Sequence, residues 1–243
     1  MTGTYVYAIV AADHPLPSAA RGVGAPPEGL RKVVAPGGLA AVVGPAPEDL
    51  RARPRDVAAH HEVLSELAEQ GAALPLEFGL VVPDDAAVER HLAEHASAYT
   101  DALARTAGRT EMDVKAVLDV EAVLGDIIAA DPQVLAQREL ARSGGGYDAE
   151  VRLGELVAGA VARYEDEVAA RIAGVLEPYA TDVRQGPKAH GDAANLSFLV
   201  PTGGVDAFRA AVGGLQGDIG PGIELRCAGP LPTYSFVPEP AGG

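Results

Sequence analysis

The chain has 243 residues, of which 48% are hydrophobic and 22% are charged, and its mean hydropathy is +0.10. This composition supports a buried core and excludes a compositionally disordered chain. The net charge of −15 argues against nucleic-acid binding, because so acidic a chain is repelled by phosphate backbones.

The first part of the chain predicts a mixture of strands and helices. Residues 5–10 are rich in β-branched and aromatic side chains, which is typical of a buried strand. In chain order we expect a strand at 5–10, a Pro- and Gly-rich loop at 13–37, a strand at 39–43, a helix at 56–70, a strand at 74–82 and a helix from 83 to 107. The expected inner faces of the two helices are Val57, His60, His61, Leu64, Leu67 and Ala68 in the first, and Val88, Leu92, His95, Tyr99 and Leu103 in the second.

The second part of the chain has a clearer pattern. Met112, Val114, Ala116 and Leu118 alternate with polar residues, as in a half-buried strand. We then expect a helical region at 121–142 bent at Asp131-Pro132, a helix at 148–176, a hairpin of strands at 179–185 and 196–200, a helix at 205–215 and a strand at 223–227. The expected stripe of the long helix is Val157, Val161, Tyr164, Val168, Ile172 and Val175.

Without the helices at 121–142, the order of elements is β-α-β-β-α-β, the split-βαβ order of a ferredoxin-like domain. The sequence therefore predicts an α+β protein of two domains. We expect an N-terminal α+β domain at 1–108 and a ferredoxin-like domain with additional helices at 109–243.

Cys227 is the single cysteine, so no intrachain disulfide can form and a reducing compartment is expected. It alternates with Ile223 and Leu225, which predicts a buried small hydrophobic residue rather than a nucleophile. The apolar run at 5–12 is too short for a membrane span and lacks the basic start of a signal peptide. We therefore expect a soluble, cytoplasmic protein.

Two histidine motifs are candidate metal sites. His91, Glu94 and His95 form an H-x-x-E-H match, in which two histidines would bind zinc while the glutamate polarises water. However, His95 falls on the expected apolar face of its helix, and the sequence nominates no third ligand. His60 and His61 are likewise interpreted as core or interface histidines. We thus expect no catalytic, cofactor-binding or metal-binding residues.

Three segments are candidate partner surfaces. Arg51, Arg53 and Arg55 form a basic patch, which is either a solvated loop paired with nearby carboxylates or a docking site for an acidic partner. The strand at 74–82 is either an edge that accepts another chain's strand or an edge covered within the protein. The apolar helices at 121–142 either cover the second sheet or offer a groove to a hydrophobic partner.

Six segments, in order along the chain, resemble the gas vesicle GvpF/GvpL family. They are Tyr5-Val6-Tyr7-Ala8-Ile9-Val10, Leu39-Ala40-Ala41-Val42-Val43, His60-His61-Glu62-Val63-Leu64, Leu74-Pro75-Leu76-Glu77-Phe78-Gly79, the stretch from Gly108 to Asp119, and Gly229-Pro230-Leu231-Pro232-Thr233-Tyr234-Ser235-Phe236-Val237. The sequence departs from the family pattern at Glu77, where Arg is usual, and at Leu231 and Thr233, where Trp and Pro are common.

The resemblance implies two α+β domains, the second ferredoxin-like, and a non-catalytic role in gas vesicle assembly. It also implies contact with the small hydrophobic shell protein and with other accessory proteins. It does not separate the F type from the L type, and the oligomeric state stays open. Two alternatives are a ferredoxin-like sensor that binds a small molecule, and a zinc-dependent hydrolase that uses His91, Glu94 and His95.

Overall fold

The computed structural model describes residues 3–27 and 29–238. Their contacts separate into two compact units, one formed by the residues up to Glu111 with those from Pro230 onward, and one formed by Met112–Gly229. Helices and strands occur in both units, which confirms the α+β class. The domain limits 1–108 and 109–243 stay a prediction. The contact units differ from them mainly in the residues after Gly229, which cluster with the first unit.

The first unit contains a sheet whose strands follow the order β2-β3-β1-β4, with β5 also paired to β1. Its elements are β1 (Thr4–Ala11), β2 (Arg31–Ala35), β3 (Leu39–Pro45), α1 (Pro54–Gln70), β4 (Ala73–Pro75), β5 (Val81–Val82), α2 (Asp85–Glu94) and α3 (Ala96–Thr106). The pairs β1–β3, β1–β4, β1–β5 and β2–β3 are all antiparallel.

Strand β1 is buried on both of its faces. Tyr5 and Tyr7 belong to a cluster with residues of α1, among them Leu64 and Leu67. Val6 and Ile9 belong to a second cluster with residues of α2 and α3, and this cluster includes Val88, Leu92 and Tyr99. The sheet is therefore covered by helices on both faces, which accounts for the uninterrupted apolar run at residues 5–10.

Four expectations for the first unit were wrong in detail. Residues 31–35 form a strand inside the expected loop, and residues 74–82 form two short strands instead of one. The second helix is broken at His95, whose φ and ψ of −113° and 19° leave the helical region. On the expected inner face of α1, His61 and Ala68 are exposed, whereas His60 is fully buried.

The second unit and the residues that adjoin it carry a sheet with the strand order β7-β8-β6-β9. The elements are β6 (Arg109–Leu118), α4 (Val120–Ala130), α5 (Pro132–Arg142), α6 (Gly146–Leu176), β7 (Asp182–Gln185), β8 (Asp192–Pro201), α7 (Val205–Asp218) and β9 (Ile223–Leu231). The expected hairpin is present as an antiparallel β7–β8 pair. The order β-α-β-β-α-β is observed with three helices in its first crossover, and the ferredoxin-like assignment itself stays a prediction.

The core of the second unit confirms the alternation read from β6, because Met112, Val114, Ala116 and Leu118 are all buried. Residues of α4 and α5 join this core, namely Val123, Ile127 and Val134. These two helices therefore cover apolar surface of their own unit. None of the helices within the described residues has both the length and the apolar character that a membrane crossing requires.

Two expectations for the second unit were wrong. Cys227 is exposed, because β9 lies at the edge of the sheet and only its first residue, Ile223, is fully buried. Val175 is 42% exposed, and its neighbour Leu176 takes the buried position on α6 instead. In both cases the element was predicted correctly and one residue was assigned to the wrong face, Cys227 in the middle of β9 and Val175 near the end of α6.

Asp131 caps the start of α5 at its junction with α4. Its carboxylate accepts hydrogen bonds from the backbone N–H groups of Gln133 and Val134, at 2.8 and 3.3 Å, and it pairs with Arg163. We expect Asp131→Ala to lower the free energy of unfolding by about 1 kcal/mol, because the start of α5 loses its cap. Asp131→Asn should stay close to the parent, since asparagine also caps and the ion pair of an exposed arginine contributes little. Thermal and urea unfolding would measure both, and equal losses in the two variants would contradict the capping role.

Candidate functional site

The segment between β4 and β5 bulges away from β1. The N–H of Leu76 donates to the Tyr7 carbonyl at 2.9 Å, while the adjacent residue Val6 donates its N–H to the Leu80 carbonyl at 3.0 Å. Residues 77–79 therefore have no place in the pairing with β1 and form a loop. Gly79 has a φ of +97°, a conformation that favours glycine.

A chain of buried hydrogen bonds holds this bulge. The N–H of Gly79 donates to Tyr5 Oη at 3.1 Å, and Tyr5 Oη lies 2.9 Å from Nδ1 of His60. His60 Nε2 lies 3.1 Å from the carbonyl oxygen of Leu76. Because a carbonyl only accepts, Nε2 carries the proton and Nδ1 accepts from the tyrosine hydroxyl. One histidine of α1 thereby joins both ends of the bulge.

Burial keeps the His60 ring neutral. Its side chain is fully buried, and loss of hydration lowers its pKa from 6.5 to about 4. The same burial raises the pKa of Tyr7 to about 12. Phe78, from the bulge, contacts the rings of both Tyr5 and His60 edge-on, with centroids 6.1 and 5.7 Å away. The cluster is accordingly a rigid support and holds no charge at neutral pH.

The bulge forms one side of an apolar pocket of about 550 Å³. Val6 and Ile9 of β1 and Ala41 of β3 line it from the sheet, and residues of α2 and α3 line it from the helices. The bulge contributes Leu76, Glu77, Phe78, Gly79 and Leu80. Leu80 and Val81 are each 41% exposed. An opening of this composition suits an apolar side chain of a ligand or partner.

Two histidines and a tyrosine form a polar group at the pocket, which His91 and Tyr99 line. His91 Nε2 is 2.7 Å from Tyr99 Oη, and His95 Nδ1 is 3.0 Å from the His91 carbonyl oxygen. Burial and the neighbouring His95 lower the pKa of His91. Among the described residues no three His, Cys, Asp or Glu side chains gather as a metal site would require. The H-x-x-E-H motif is thus placed as a packed, hydrogen-bonded pair of histidines next to a tyrosine.

The C-terminal segment reaches the same pocket. Val237 and Pro238 line it, and Phe236 is buried. Ser235 donates two hydrogen bonds to the Glu111 carboxylate, from its N–H at 2.9 Å and its hydroxyl at 2.8 Å. The Thr233 hydroxyl lies 3.5 Å from the Ala73 carbonyl oxygen of β4. Sequence analysis did not connect this segment with residues 74–82, because 150 or so positions separate the two.

The other candidate surfaces are more ordinary. Arg51 and Arg53 both pair with Asp49, and Arg55 pairs with Asp56, as the solvated-loop interpretation expects. A second groove, of about 710 Å³, lies at the junction of α4 and α5 beside α6. Its lining is more polar and includes the Asp131–Arg163 ion pair. Neither surface gathers apolar groups as the first pocket does.

Comparison with known proteins gives a consistent result. A family model described as gas vesicle synthesis protein GvpL/GvpF matches residues 3–238. Gas vesicle protein F of Streptomyces sp. (strain CB03234) is 43% identical over 237 residues, covering 96% of this chain and 99% of that protein. The crystal structures of GvpF from Anabaena sp. PCC7120 and Microcystis aeruginosa are similar in fold, with TM-scores of 0.80 and 0.79. Each of these structures is 21% identical to this chain in sequence. The matches cover 99% and 98% of this chain, respectively, and the whole of each solved chain.

The lowered pKa of His60 predicts that the free energy of unfolding depends on pH. In the unfolded chain its pKa returns to about 6.5, so the unfolded state binds the proton first as the pH falls. The stabilisation by neutral His60 is therefore complete above pH 6.5 and is lost between pH 6.5 and 4, by on the order of 3 kcal/mol. Urea unfolding across this range would measure it. His60→Gln should flatten the dependence and the exposed His61→Gln should not; equal profiles for both variants would refute the assignment.

Proposed function

Because the chain belongs to the GvpL/GvpF family of gas vesicle synthesis proteins, we propose that it binds the small hydrophobic shell protein and other accessory proteins during vesicle assembly. A role in gas vesicles follows from family membership itself. To that role the proposal adds the binding partner and a non-catalytic mode of action. It also places the chain in the cytoplasm, at the growing vesicle. It also adds the F type, because the relative at 43% identity is named protein F.

The observation that carries the proposal is the apolar pocket of the first unit. Its lining includes Leu80, which is 41% exposed, and the buried side chains of Val6 and Ile9. Transferring one large apolar side chain from water into such a site contributes roughly 1.5–3 kcal/mol. A hydrophobic shell subunit offers several such side chains, so a pocket plus its exposed margin could hold one subunit by apolar contacts.

The charge of the chain suits the same role. The residues after position 55 carry a net charge of −17. A strongly acidic protein that holds an apolar partner keeps the complex dispersed, since complexes of like charge repel one another. We therefore propose that the chain masks apolar shell subunits until they join the vesicle wall.

The hydrolase alternative has weaker support. His91 is hydrogen-bonded to Tyr99 of α3 and His95 to the backbone carbonyl of His91, and both rings lie next to the Tyr99 ring. Zinc content of the protein purified without added metal would test this alternative directly. Stoichiometric zinc together with a lack of shell-protein binding would favour the hydrolase over the assembly role.

Co-purification tests the partner and the pocket together. We expect the tagged chain to retain co-expressed shell protein, and the variant Leu80→Asp to reduce retention at least roughly tenfold, because a charge on the pocket lining must be desolvated on binding. Leu140→Asp is the matched control, since Leu140 is 52% exposed and lies in the second unit. Retention that is lost equally in both variants, or unchanged in both, would rule out the pocket as the binding site.

Light scattering tests the masking mechanism. Purified shell protein diluted from denaturant should aggregate more slowly when an equimolar amount of the chain is present, because its apolar surface is covered. The Leu80→Asp variant should protect less than the Leu140→Asp variant does. Identical aggregation with and without the chain would refute the masking mechanism. Binding of the shell protein at a later stage of assembly would still be tested by co-purification.

A further inference from the structure

We infer that residues 232–238 form a strap that occupies one side of the apolar pocket and must yield before a shell segment can bind. The inference rests on the proposed function and adds a means of regulation to the same site. Val237 and Pro238 line the pocket together with the bulge residues Leu76 to Leu80. Val237 also packs against the core cluster on this face of the sheet. The strap thus covers, with its own side chains, apolar surface that an incoming apolar segment would use.

The backbone of the strap is hydrogen-bonded mainly to itself. The N–H groups of Tyr234, Phe236 and Val237 donate to the carbonyls of Pro232, Thr233 and Tyr234, at 2.9, 3.2 and 3.3 Å. This is a short 3-10 turn over Tyr234–Phe236. Movement of the turn as one piece would therefore keep these bonds, and it would leave the pairs of β1 with β4 and β5 intact.

Ser235 provides one polar attachment of the strap to its unit, beside the buried Thr233 and Phe236. Both its N–H and its hydroxyl donate to the Glu111 carboxylate, which is buried at 3% exposure. The two bonds reach the same buried side chain, so together they fix both the backbone and the hydroxyl of Ser235. Phe236 adds a buried ring, and Tyr234 adds an edge contact to His61 at 6.4 Å. We call the Ser235–Glu111 contact the latch. The residues that follow it, Val237 and Pro238, are only half buried.

The latch sets how readily the pocket opens. While the strap is seated, an apolar ligand competes with Val237 for the same surface, so its apparent affinity is reduced by the fraction of molecules in which the strap is displaced. Weakening the latch raises that fraction. Since the pocket itself is unchanged, affinity for an apolar probe should rise as the latch weakens.

A fluorescent dye tests the strap without any shell protein. The full chain is titrated with 8-anilinonaphthalene-1-sulfonate, and Ser235→Ala, which removes the hydroxyl donor, should bind the dye roughly fivefold more tightly. Ser235→Thr restores a hydroxyl and should return affinity toward the parent value. Ser143→Ala is the control, because Ser143 makes an exposed hydrogen bond in the second unit. None of these substitutions changes the net charge, so electrostatic repulsion of the anionic dye is constant.

The outcomes separate the strap from the proposed function. Weaker dye binding by Ser235→Ala would mean that the strap completes the pocket instead of blocking it, and unchanged binding would mean that the latch controls nothing; either overturns the inference. If Ser235→Ala acts by unfolding the protein, far-ultraviolet circular dichroism will show the loss of structure, and Ser235→Ala and Ser235→Thr will take up dye equally. That result too would overturn the inference.

A tryptophan reporter gives the second measurement. The chain contains no tryptophan, so Val237→Trp provides a single emission signal from the strap. Added shell protein should move the emission to longer wavelength and raise acrylamide quenching about twofold, as the strap leaves the pocket. Binding of shell protein without this change would overturn the strap and keep the proposed function. The expected dye response without shell-protein binding would keep the strap and overturn the partner.

Discussion

The first unit depends on β1, a strand that is buried on both faces and paired on both edges. Strand β3 occupies one edge in nearly continuous register, whereas the other edge is shared by β4 and β5. The registers of β4 and β5 against β1 differ by three residues, and that difference has to leave the sheet as a loop. The bulge at residues 77–79 is the direct result, and the pocket lies against it.

A bulge of this kind leaves backbone groups that need partners, and α1 supplies one of them. His60 accepts from Tyr5 and donates to Leu76, while Tyr5 accepts from Gly79. An unpaired buried donor or acceptor costs roughly 1–3 kcal/mol, so removal of the imidazole would leave several groups unsatisfied at once. The polar cluster on one face of the sheet thus fixes the shape of an apolar pocket that opens on the other side of the bulge.

The sequence predicted those features whose cause is local. The alternation in β6 and the bend at Asp131-Pro132 each depend on neighbouring residues, and both are confirmed. Strand β2 was missed because it lies inside the Pro- and Gly-rich segment at 13–37, and it begins with the charged residues Arg31 and Lys32. The structure explains their charge through distant partners: Arg31 pairs with Asp85, and Lys32 donates to the carbonyls of Ala12 and His14. The pocket was missed because its lining comes from β1, α2, the bulge and the C-terminal segment, and no window of sequence contains them together.

Charge and apolar surface have separate roles in this chain. Several basic residues are paired with nearby carboxylates, as Arg51 and Arg53 are with Asp49 and Arg226 is with Glu224. Exposed pairs of this kind contribute little to stability, but each one offsets the local positive charge of its cation. The net negative charge then acts at long range, where it keeps copies of the chain apart, and selection of a partner falls to short-range apolar contact. An apolar pocket closed by a strap fits that division, because contact area near Val237 becomes available only to a segment that can replace the strap's own side chains.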